Sequence, residues 1–140
     1  MNRRKLREHL FKLVYLSAFN KENEMPSQRD LYFELNPEID GEDRDFISAR
    51  LDGVMSATPE IDEMLNRTAR GWKTARFASC DLAVLRLALY EMRFDPDEIV
   101  PQGVAINEAV ELARKFGGDD SPAFVNGILG EIAKAGADDQ

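Results

Sequence analysis

The sequence predicts an all-α protein of about seven helices. Two observations carry this: apolar residues recur at steps of three and four along almost the whole chain, and no segment shows clean alternation of a half-buried strand. A third is the punctuation, in which short Gly, Pro, Ser and Asp clusters separate the periodic runs without long loops.

The first helix is "RRKLREHLFKLVYLSAF", with Leu6, Leu10, Leu13, Val14 and Ser17 on one face. Met25, Pro26 and Ser27 read as a break, with Ser27 capping a short helix through "SQRDLYFEL". "NPEIDGED" reads as a loop. "RDFISARLDGVMSA" brings Phe46 or Ile47, Leu51, Val54 and Met55 together. Thr58 is then expected to cap a new helix, with Pro59 in its first position and Glu60 near its positive end. "RGWKTARFASC" is a connection around Gly71 and Trp72. "DLAVLRLALYEM" follows, its stripe being Leu82, Leu85, Leu89 and Met92, and "RFDPDEIVPQG" reads as a loop. "VAINEAVELARKFGG" is a helix stopped at Gly117. Ser121 is expected to cap the last helix, with Pro122 in first position and Val125, Ile128, Leu129 and Ile132 facing the core.

Composition narrows function. Of 140 residues, 44% are apolar and 31% charged, enough to fold and too apolar for a disordered chain. The net charge is -8, which repels nucleic acid unless a local patch reverses the sign. Residues 1–19 do so: Arg3, Arg4, Lys5, Arg7 and Lys12 against Glu8 give +4, leaving -12 for the rest. This is either a solvated helix start or a phosphate-binding arm.

Catalytic and metal chemistry find no constellation. The one histidine, His9, and one cysteine, Cys80, have no partners at metal-ligand spacing, and no cofactor is expected. There is no glycine-rich nucleotide loop and no nucleophile elbow. Glu108 and Glu111 share a helix face and read as solvated. The expectation is a non-enzymatic, cytoplasmic protein without a signal peptide or membrane span.

The last helix is unusual. Asn126, Gly127 and Gly130 all disfavour a helix interior, by about 0.7–1 kcal/mol each relative to Ala. The reading is close packing against a neighbouring helix, with Asn126 bonded to a facing backbone. Phe124 and Phe116 are either core edges or stacking platforms for a base, with Lys115 nearby for phosphate.

"DLAVLRLALYEM", "VAINEAVELARKFG" and "SPAFVNGIL", in that order behind a basic first helix with "LVYL", resemble the bacterial transcription antitermination family NusB. The segment from Glu22 to Glu42 matches none of its motifs. The resemblance implies two packed helical bundles, about 1–75 and 76–136, in a single domain. It also implies binding of boxA-like single-stranded RNA with ribosomal protein S10, within an antitermination complex on RNA polymerase during ribosomal RNA transcription. By position, the RNA surface would comprise Arg3, Arg4, Lys5, Arg7, Lys115, Phe116, Asp120 and Phe124. The S10 surface would comprise Tyr15, Phe19 and Asp81. Two rival readings are the helical domain of a ribosomal RNA methyltransferase system and a protein-only binding module. Monomer and homodimer are both compatible with the sequence.

Overall fold

The computed structural model describes residues 1–69, 77–97 and 100–138, with side chains described through residue 135. Trp72 and the expected bundle boundary near 75–76 lie outside the described residues. Six α-helices follow in order: α1 (Arg3–Ser17), α2 (Met25–Leu35), α3 (Gly41–Thr68), α4 (Ser79–Leu89), α5 (Gln102–Phe116) and α6 (Ser121–Asp138). A 3-10 turn (Glu22–Glu24) leads into α2 and a π-helical turn (Tyr90–Phe94) continues α4. No strand occurs among the described residues.

α1 packs on α2 and α3, and α5 packs on α6. α4 lies between these groups, touching α1, α3, α5 and α6. Its sequence explains that place. Ala83, Val84, Leu85, Leu87, Ala88 and Leu89 are all buried, so α4 is apolar nearly all round, as a central helix must be. Leu82, expected in its core stripe, is only partly buried. Arg86 forms a fork to Asp62 of α3, at 3.0 and 2.7 Å. One continuous core runs from Leu6 of α1 to Ile132 of α6.

Several local expectations are corrected. α2 starts two residues before Ser27; Pro26 sits in its first turn, where a missing N–H costs nothing, and Met25 is buried. "GED" of the expected loop is already α3: Asp40 caps it by accepting from the Asp43 N–H at 2.8 Å, with Glu42 and Asp43 in the first turn. Thr58 and Pro59 do not start a helix. α3 runs through them, because Ile61 and Leu65 continue the buried stripe of Ile47, Leu51 and Val54. Thr58 Oγ1 donates instead to the Val54 carbonyl at 2.7 Å. This merges two expected helices and accounts for six α-helices among the described residues in place of about seven. The start of "RFDPDEIVPQG" is also helical: the Asp95 N–H donates to the Tyr90 carbonyl at 3.0 Å, closing the π turn.

No helix among the described residues is long and apolar enough to cross a membrane.

Candidate nucleic-acid interface

The first turn of α1 places Arg3, Arg4 and Lys5 at the positive end of a helix, with no acid among them. Asn2 caps the helix by accepting from the Lys5 N–H at 2.8 Å. Cations there oppose the helix dipole, so compensation must come from elsewhere. α5 and the π turn supply it. Arg4 donates through Nε and Nη2 to Glu108 at 3.2 and 2.8 Å. Arg7 forks onto Glu91, with Nε–Oε1 at 3.0 Å and Nη2–Oε2 at 2.7 Å, and its Nη1 lies 3.6 Å from Glu108. Lys115 donates to Glu8 at 2.7 Å, and Lys5 lies 3.7 Å from the other Glu8 oxygen. Hydrogen bonds from Arg4 and Lys115 hold the Glu108 and Glu8 carboxyls below their usual pKa.

Arg4, Arg7, Glu8, Glu108 and Lys115 line a groove of about 350 Å³ between α1 and α5. Arg7 is nearly covered, whereas Arg4, Lys5 and Lys115 are exposed. Glu108 is thus not a solvated side chain, as its sequence position suggested. It accepts from Arg4 and is a nearby counter-charge for Arg7, while Glu111 stays exposed and pairs with Arg114.

A row of aromatic rings continues along α1. Phe116 stacks on Phe11 (centroids 5.1 Å apart, 29° between planes), Phe11 approaches Tyr15 (6.3 Å), and Tyr15 meets Phe19 edge-on (5.0 Å). The ammonium groups of Lys12 and Lys115 lie 5.6 and 5.4 Å from the Phe116 centroid. Tyr15 and Phe19 are exposed at the end of this row. A cavity of about 400 Å³ beside it is lined by Phe11, Tyr15, Tyr32, Cys80 and Phe116. Burial first, and then the charge of Asp81, raises the Cys80 thiol pKa. The structure therefore brings Phe116 together with Tyr15 rather than with Phe124.

The corner between α5 and α6 forms the third part. Gly117 ends α5 where a side chain would not fit: an added Cβ would lie 2.6 Å from Ser121 Oγ and 2.7 Å from the Ala113 carbonyl. Ser121 does not stand outside α6 as its cap. It is the first helical residue, is buried, and its Oγ accepts from the Gly118 N–H at 3.0 Å. The cap carbonyl is that of Asp120, which accepts from the Phe124 N–H at 3.0 Å. Pro122 is consequently the second residue of the helix.

Phe124 is partly buried, edge-on to Phe77 at 5.2 Å. Both rings line a cavity of about 690 Å³, together with Asp81, Asp119, Asp120 and Ile128. Asp81 is 8% exposed and its Oδ1 has no hydrogen-bond partner among the described residues. Asp81 therefore joins Asp120 and Phe124, while its neighbour Cys80 faces the cavity beside Tyr15.

The packing reading of α6 is overturned. Asn126, Gly127 and Gly130 are exposed, and among the described residues nothing lies within 4 Å of a Cβ built on either glycine. The close approach expected there belongs to Gly53, whose added Cβ would meet the Tyr90 ring at 2.6 Å. Sequence reasoning also missed Glu8, Glu91, Glu108, Phe11 and Phe77 as members of this face. Glu91 alone left a signal, as an acid inside the apolar run of α4 and its π turn.

Comparison with known proteins matches residues 4–134 to the NusB family. Transcription antitermination protein NusB of Lachnoclostridium phytofermentans is 42% identical over 132 residues, covering 94% of this chain and 98% of that protein. NusB of Agathobacter rectalis is 41% identical over 136 residues, covering 95% and 100%. Among solved structures, NusB of T. maritima superposes with a TM-score of 0.82 at 31% identity, covering 96% of this chain and 92% of that one.

Proposed function

The chain belongs to the NusB family of transcription antitermination proteins, and from that premise we propose that it binds boxA-type nascent RNA together with ribosomal protein S10. In this reading it is an adaptor rather than an enzyme. It works in the cytoplasm, within an antitermination complex on RNA polymerase, notably during ribosomal RNA transcription.

The observation that carries the RNA assignment is the rim of exposed cations on the α1–α5 groove. Exposed Arg4 and Lys115 rim that groove, Lys5 pairs with its Glu8, and Asp120 and Phe124 line a separate cavity past the end of α5. Cations can meet phosphates at one end, and partly exposed rings can take unpaired bases further along. Arg3, exposed in the first turn of α1, adds a cation beside a second, smaller pocket that Arg7 and Glu91 also line. Arg7 serves the surface from beneath, fixed on Glu91.

Tyr15 and Phe19 supply an exposed aromatic surface suited to a protein partner, with an apolar body and, for Tyr15, a polar tip. Asp81 lies where the two surfaces adjoin, since it lines the Phe124 cavity and Cys80 lines that of Tyr15.

The test is a titration of boxA RNA and of a scrambled control with this chain, with and without S10. The expected result is weak binding by the chain alone and tighter, sequence-selective binding with S10. Equal affinity for both RNAs in the presence of S10 would overturn the assignment.

A further inference from the structure

We propose that Glu8 and Glu108 are built-in competitors of the RNA backbone, holding Arg4, Lys5 and Lys115 in ion pairs that a phosphate must displace or share. The inference rests on the RNA-binding reading above and concerns how strongly that surface binds. The exposures define the arrangement. The side chains of Glu8 and Glu108 are 12% and 14% exposed, whereas those of Arg4 and Lys115 are 65% and 57% exposed. The acids form the floor of the groove and the cations its rim.

Two consequences follow. The groove holds Arg4, Arg7, Arg114 and Lys115 against Glu8, Glu108 and Glu111, and Arg7 is further matched by Glu91. The +4 of residues 1–19, which already counts Glu8, is therefore partly offset in the folded protein, by Glu108 at Arg4 and by Glu91 at Arg7. A phosphate that meets Arg4 or Lys115 also comes close to a carboxylate that cannot swing away, because its side chain is largely covered. Such a cation delivers less than a full charge and releases fewer counterions from RNA. Surface ion pairs are individually weak, so the exchange remains possible; it is made less favourable, not blocked.

The same geometry also carries an opposing effect. A carboxylate behind a guanidinium can hold it in place for a ligand, since Arg4 uses only Nε and Nη2 on Glu108. The two effects have opposite signs, and electrostatic competition is favoured because two acceptors on two elements act on the same small groove.

The experiment is a titration of boxA RNA across a salt series with the unmodified chain, Glu8→Gln, Glu108→Gln and the control Glu63→Gln, an exposed acid on α3 outside the groove. Circular dichroism verifies that each variant is folded, and two independent groove variants guard against failure of one. Each groove variant should bind about three- to fivefold more tightly at low salt. Its salt dependence should steepen, by up to about one unit of slope. Glu63→Gln should bind as the unmodified chain does, and Arg4→Ala should abolish the gain from Glu108→Gln. Unchanged or weaker binding by both groove variants would overturn the inference, weaker binding meaning that the acids position the cations. So would a gain that Glu63→Gln reproduces or that survives Arg4→Ala. If the unmodified chain binds and the variants bind no better, only this inference falls. If no protein in the set binds RNA, the RNA reading falls with it.

Discussion

Phe77 and Phe124 meet edge to face, with centroids 5.2 Å apart and planes at 90°. The contact anchors one edge of Phe124 and leaves the ring partly exposed over the cavity that holds Asp81 and Asp120. Phe124→Ala should therefore cost less than the 3–5 kcal/mol of a core Phe, on the order of 1–2 kcal/mol. RNA binding should weaken by about 1–3 kcal/mol if a base stacks there. Denaturant melts and RNA titrations on the same variant separate the two roles. A large stability loss with unaltered affinity of the folded protein would make Phe124 a core residue only.

Arg4 and Arg7 stand one turn apart and should behave differently. Arg4 is exposed, so Arg4→Ala should leave the denaturation midpoint nearly unchanged and weaken RNA binding at low salt. Arg7→Ala would strand the buried Glu91 without its guanidinium, which should cost about 3 kcal/mol. Equal midpoints for the two variants would contradict the burial of the Arg7–Glu91 pair.

What the sequence made legible was whatever is local. The stripe of α1 and the Gly117 stop of α5 follow from spacing and from single residues. Pro59 misled because proline is a start signal when read locally, while the buried Ile61 and Leu65 beyond it decide that α3 continues. The basic arm was visible as a count of charges, but the acids that partly offset it were not. Glu91 and Glu108 lie 84 and 104 residues from their partners Arg7 and Arg4, and no periodicity carries that pairing. Asn126 and Gly127 failed for a related reason: poor helix formers report a cost, not the side of the helix on which it is incurred.

Tyr15 is exposed at the end of the aromatic row, so a charge there can be solvated. Tyr15→Asp should fold with a modest loss of stability, retain weak binding of RNA alone, and lose S10 in a pull-down. Retention of S10 would remove Tyr15 from the partner surface, and unfolding of the variant would show that its ring serves the core through Phe11.

Gly53 lies in the middle of α3 beneath the buried ring of Tyr90. On propensity alone Gly53→Ala should stabilise the helix by about 1 kcal/mol. The new Cβ would lie 2.6 Å from ring carbons that are packed on all sides, and overpacking costs typically 1–3 kcal/mol. The clash should win, lowering the urea midpoint. An unchanged or raised midpoint would mean that the Tyr90 ring can shift.

His9 supplies a pH dependence whose sign can be worked out. It is buried on α1, with Nδ1 2.6 Å from the Tyr32 hydroxyl of α2 and Nε2 4.0 Å from Glu38, which follows α2. Burial, with the charges of Lys12 and Lys5, lowers its pKa below 6.5, against the opposing pull of Glu38 and Glu8. Burial also pushes the Tyr32 phenol up to about 12, so the phenol keeps its proton and can donate to Nδ1. That bond requires a neutral ring. As pH falls through 6.5 the unfolded chain takes up a proton that the folded chain refuses until its own lower pKa. The stability present above 6.5 is therefore lost as pH drops toward the folded value, by at most about 1.4 kcal/mol per pH unit from this group. Because the chain has one histidine, a ring-proton NMR titration reads it directly. The midpoint in the folded protein should lie below 6.5, and the urea midpoint should fall between pH 7 and pH 5.5. A folded-state midpoint at or above 6.5 would mean that Glu38 closes onto Nε2 in solution and that the sign is reversed.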